Sequence, residues 1–140
     1  MYEIRRTIKI TEQLKLGDDV LDIVIAPEEI VKEYNRSVAG ITKAQTVVNK
    51  AKQAGDPASA KAAVEQFGEA ITQLMDVLLG NANTEKIIAF YDGNKIEMSS
   101  WITPFLTGVI APKMKEAAEM MRQQVSRDYR KAGRKGLFRR

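Results

Sequence analysis

Two long helical stripes of apolar residues are separated by Gly55, Asp56 and Pro57, and this break limits the architecture more than any other feature. Upstream, Ile30, Tyr34, Val38, Ile41, Ala44, Val48 and Ala51 recur every three or four residues; downstream, Ala60, Val64, Phe67, Ile71, Leu74 and Leu78 do the same. Proline is tolerated in the first turn of a helix but not inside one, so the stripes belong to two helices. A connection this short folds the second back against the first. An antiparallel helix pair is therefore predicted, starting at Pro27 with Glu28 and Glu29 at the positive end of the dipole, and ending at Gly80.

Before Pro27 the apolar period is two. Tyr2, Ile4, Ile8 and Ile10 alternate with Glu3, Arg5, Thr7 and Lys9, which predicts a strand over 2–10. Leu16, Gly17 and Asp18 offer a turn, and residues 20–26 place Leu21, Ile23 and Ile25 on one face of a second strand. A β-hairpin over 2–26 follows. Two strands alone are marginal in water, so this ribbon must lie on helices or on another subunit.

Beyond Gly80, Thr84 is expected to cap a short helix through Tyr91, and Asp92 to Asn94 to turn the chain. Ile102, Phe105, Leu106, Val109 and Ile110 then form an apolar helical face in a segment bent near Pro104 and Pro112. Trp101 and Phe105 have rings that can stack on a base or ligand, but their spacing among Ile and Leu assigns them to the core. A last helix carries Met114, Ala118, Met121, Val125 and Tyr129, and is expected to fray near Gly133 into a disordered basic tail over 133–140. The predicted fold class is thus α+β, mostly α: one domain over 1–132, with a hairpin at 2–26 and helices over 27–132. A chain of 140 residues, 44% of them hydrophobic, suffices for one core.

The sequence has no histidine and no cysteine, which excludes imidazole and thiolate metal sites and most designs for nucleophilic catalysis. Its carboxylates are scattered at solvent-facing positions. Adjacent Glu28 and Glu29 are an acid/base pair in appearance only, because a helix start favours acidic residues. Gly133 and Gly136 lie among basic residues, but they follow no strand and open no helix, as a phosphate-cradling loop must. No catalytic, cofactor-binding or metal-ligating residue is expected, and no enzymatic activity. The longest charge-free stretch, residues 98–112, is too short to cross a bilayer, and "MYEIRRTIKI" lacks the apolar block of a secretory signal, so a cytoplasmic protein is expected.

Charge is unevenly distributed. From Arg122 onward eight Lys or Arg face Asp128 alone, a charge of +7, which leaves −3 of the total +4 for residues 1–121. Arg127, Arg130, Lys131, Arg134, Lys135, Arg139 and Arg140 form a basic end that can attract phosphate through counterion release, although it has no interleaved aromatic residues. The same helix carries Met114, Met120 and Met121, and thioether side chains adapt to varied apolar partners. Three buried methionines contribute roughly 5–9 kcal/mol gross. Association entropy opposes this by about 4 kcal/mol or more, so firm holding needs many copies on one long client.

The succession "LDIVIAPEEIVKEYNRS", "FGEAITQLMDVLLGNANTEKIIAFYDGN" and "MSSWITPFLTGVIAPKMKEA", followed by a basic end, resembles the small tail assembly chaperones of siphophages and prophages of Gram-positive bacteria. The likeness runs from about Leu16 to Lys131. It implies a non-enzymatic role in the host cytoplasm: coating the long, apolar, helical tape measure protein, keeping it soluble and helping to recruit tail tube subunits, directly or through a longer frameshift product of which this chain would be the short form. It also implies absence from the finished virion. The resemblance brings no fixed binding motif, so the candidate client-binding residues, Met114, Met120, Met121, Val125 and Tyr129, rest on side-chain chemistry. Self-association is a further expected partner mode. The alternatives are a small nucleic-acid-binding accessory protein acting through the basic tail, and a structural tail or connector subunit.

Overall fold

The structure is a computed structural model that describes residues 6–137, with side chains as far as Arg127. Two antiparallel strands, β1 (Ile10–Leu16) and β2 (Asp19–Ile25), precede α1 (Pro27–Ala54), α2 (Pro57–Leu79), α3 (Asn81–Phe90) and α4 (Lys95–Phe105). A π-helical turn, Leu106–Ile110, joins α4 to α5 (Ala111–Leu137). The α+β, mostly helical class read from the sequence is the observed one.

Among the described residues the hairpin occupies 10–25, short of the expected 2–26. Leu16 pairs with Asp19 across the two-residue turn Gly17-Asp18, and each further pair steps outward until Ile10 meets Ile25. Pro27 then opens α1, so residues 6–9 have no β2 residue opposite them. Residues 6–9 lack regular structure, and the expected start at Tyr2 lies outside the described residues. Gly17 has φ +64° at the first central position, the conformation a type II′ turn needs. A Cβ there would lie 3.2 Å from Cε2 of Phe90. Gly17→Ala should therefore destabilise the fold by about 1–2 kcal/mol through left-handed strain alone, read as a lower urea midpoint; an unchanged midpoint contradicts this turn.

The helix pair forms where the sequence breaks. Gly55 takes φ +71° and ends α1, while the Asp56 carboxylate caps α2 by accepting from the Ala58 N–H at 3.2 Å and from the Ser59 hydroxyl at 2.8 Å. The Ser59 hydroxyl first, and the Ala58 N–H second, hold this carboxyl below its ordinary pKa. A depressed folded-state pKa means stability that is present above the ordinary carboxylate range and lost as pH falls through the folded value. Asp56→Ala should thus lower the melting temperature at neutral pH, with the difference from wild type fading on acidification below that range. A difference that does not change with pH contradicts the cap.

One core joins these elements. Leu21, Ile23 and Ile25 of β2 pack with Ile71, Leu74, Met75 and Leu78 of α2 and with Ile87 of α3. The third helical layer contributes Met98, Ile102, Leu106, Ile110 and Met114, a four-residue spacing that runs unbroken through the π-turn. The wider winding of that turn keeps a four-residue repeat on one face, where a regular α-helix would drift.

Three local expectations are corrected. Thr84 does not cap α3: Gly80, at φ +83°, turns the chain directly, α3 begins at Asn81, and buried Thr84 donates its hydroxyl to the Gly80 carbonyl at 2.9 Å. Trp101 is not in the core but 70% exposed, because the residues facing inward are Met98 and Ile102; Phe105 is half-buried against the core. Helix α5 continues through Gly133 to Leu137, past the expected end, since glycine costs a helix only about 1 kcal/mol and no proline follows.

Candidate partner-binding surface

Helix α5 is anchored at its start. Ile110, Met114 and Ala117 are buried, and the Lys113 ammonium pairs with the Glu12 carboxylate of β1. Further along, the same helix exposes apolar side chains among polar ones: Met120 is 50% exposed, Met121 half-buried and Val125 67% exposed. Met121 and Val125 are four residues apart and share a face about 6 Å along the axis.

Two hollows flank this part of α5. On one side Met114, Ala118 and Met121 face Pro27, Val31 and Tyr34 of α1 across a groove of about 230 Å³, with Lys115 and Asn35 at its polar margin. Burial pushes the Tyr34 phenol pKa upward. On the other side Met120 and Ala117 face Ile8 and Ile10 in a hollow of about 360 Å³. Adjacent methionines thus serve opposite sides of one helix.

The five candidates from the sequence therefore separate. Met114 is 5% exposed and belongs to the core, so it is withdrawn from the surface set: its four-residue spacing from Ile110 turns it inward. Met121 and Val125 share the face beside the α1 groove, whereas Met120 is exposed on the Ile8 side of the same helix. Tyr129 lies outside the residues whose side chains are described, as do Arg130, Lys131, Arg134, Lys135, Arg139 and Arg140; Arg127 is exposed. The sequence reading missed the α1 wall of the groove, Val31 and Tyr34. Val31, 38% exposed, stands one position off the main stripe, and nothing in the local pattern marks it as a groove wall.

Among the described residues no three acidic side chains gather as a metal site would require, and no helix is long and apolar enough to cross a membrane. Comparison with known proteins gives no match: no family model, no curated protein and no solved structure is similar to the chain at a significant level.

Proposed function

We propose that this protein is a non-enzymatic assembly chaperone that holds exposed apolar helices, with the tape measure protein of a phage tail as client and tail tube subunits as the parties it helps to recruit. The observation that carries this reading is the change of burial along α5: a helix fixed in the core at Ile110 and Met114 presents Met120 and Val125 to solvent one to three turns later. A fixed helix offers apolar area without first having to be ordered, so little conformational entropy is lost when a client helix docks. The groove beside Met121 and Val31 adds a recess for a client side chain. The basic end supplies charge for acidic stretches of the client or partner, and the family resemblance supplies the client's identity.

Co-expression with a phage tape measure protein is the test. The client should move from the insoluble to the soluble fraction only when this chain is present, and purified virions should lack the chain. Client solubility that is unchanged removes the chaperone reading, and retention in virions would favour a structural subunit.

A further inference from the structure

The two-residue turn fixes which backbone groups of the hairpin face outward. Leu16 and Asp19 close the turn and exchange hydrogen bonds, so by alternation Leu14 with Leu21, Glu12 with Ile23 and Ile10 with Ile25 do the same. The N–H and C=O groups of Thr11, Gln13 and Lys15 therefore point away from β2, and those of Val20, Asp22 and Val24 point away from β1. On the β2 side one of these groups is met: the Asp22 carbonyl accepts from Asn83 Nδ2 of α3 at 3.3 Å. On the β1 side, among the described residues, nothing bonds to the outward groups of Thr11, Gln13 and Lys15.

Burial shows the same asymmetry. Leu21, Ile23 and Ile25 of β2 are buried on the inner face, while Leu14 and Leu16 of β1 are only partly so. No proline and no bulge interrupts β1 over its seven residues, and its inward charge, Glu12, is neutralised by Lys113. The usual devices that keep an edge strand from pairing are thus largely missing. The strand leaves both its hydrogen-bond ladder and its apolar face unfinished.

We propose that β1 pairs antiparallel with β1 of a second copy of this chain, about a two-fold axis at Gln13, to give a four-stranded sheet in the order β2-β1-β1-β2. The outward groups at 11, 13 and 15 are symmetric about 13, so self-pairing in this register satisfies all of them in both copies. It sets Thr11 opposite Lys15 of the second copy and Ile10 opposite its Leu16, which covers the half-buried rim and places no like charges face to face. This dimer does not depend on the chaperone reading.

Sedimentation equilibrium of the full chain over a range of concentrations tests it. Wild type should dimerise. Thr11→Lys sets a like charge against Lys15 of the second copy twice over, and should raise the dissociation constant roughly tenfold. Adding Lys15→Glu should restore it; within one chain positions 11 and 15 are roughly 13 Å apart along a strand and cannot meet. Gln13→Pro removes an outward N–H and no backbone bond between the strands, at the cost of one exposed side-chain bond from Gln13 Nε2 to Asp22 Oδ1 at 3.0 Å, so association should be lost while the circular dichroism spectrum holds and the urea midpoint falls only slightly. If that variant does not fold, the charge pair carries the test alone. A wild type monomeric at every concentration overturns the proposal, as does an association indifferent to Thr11→Lys or a weakening that Lys15→Glu fails to reverse.

Discussion

Replacing Met120 and Val125 together by Asp is expected to return a co-expressed client to the insoluble fraction while leaving the fold intact. Both side chains are half or more exposed, and surface substitutions of this kind change stability by about 0.5 kcal/mol or less. Binding is affected in a different way. Each substitution removes about 1.5–3 kcal/mol of apolar burial from the interface, and a client helix must then also strip water from a carboxylate. Against a net affinity already reduced by association entropy, either loss is large: the Val125 change removes it from the Met121 face and the Met120 change from the Ile8 side, so the double variant covers both sides of α5. The measurement is client solubility alongside the melting temperature of the variant. A soluble client with the double variant would place the contact elsewhere.

The largest effect on stability is expected at a methionine of the opposite kind. Met75, in the middle of α2, is fully buried among β2, α3 and α4 residues. Met75→Ala removes its buried thioether and leaves a cavity, a change that costs about 2–5 kcal/mol. Domains of this size are stable by about 5–15 kcal/mol, so the variant should lose a large share of its stability and show a clearly lower urea midpoint. Met120→Ala, the same chemical change at a half-exposed site, should fall within about 0.5 kcal/mol of wild type. Equal effects at the two positions would contradict the burial described for either.

These two methionines also show how much was legible in the sequence. Helix boundaries were readable where backbone chemistry forces them: Pro27, the Gly55-Asp56-Pro57 break and Gly80 act locally, and each falls where the structure ends or begins a helix. Strand placement was not, because the apolar alternation extends from Tyr2 to Leu16 with breaks only at Arg6 and Glu12; only the two-residue turn decides that 10–16 pairs with 19–25. Trp101 was misplaced because a three-to-four repeat accepts either it or Met98 as inward. The π-turn, which breaks the ordinary period, favours the four-residue series from Met98 to Met114. That same series withdraws Met114 from the candidate surface. Met120 was legible as a surface residue because it stands off the stripe of Met114, Ala118, Met121 and Val125, whereas the exposure of Val125 and the α1 wall at Val31 depend on where α5 leaves the core and how two distant helices meet, which no local pattern encodes.

The central claim is that α5 lends apolar surface to another helix, and site-specific photo-cross-linking tests it most directly. A photoreactive side chain at position 125, on the exposed continuation of the Met121 face, should capture the client in co-expressing cells. The same group at Val20, also more than half exposed and on the outer face of the hairpin, should not. Capture at Val20 without capture at 125, or no capture from α5 at all, would contradict the account.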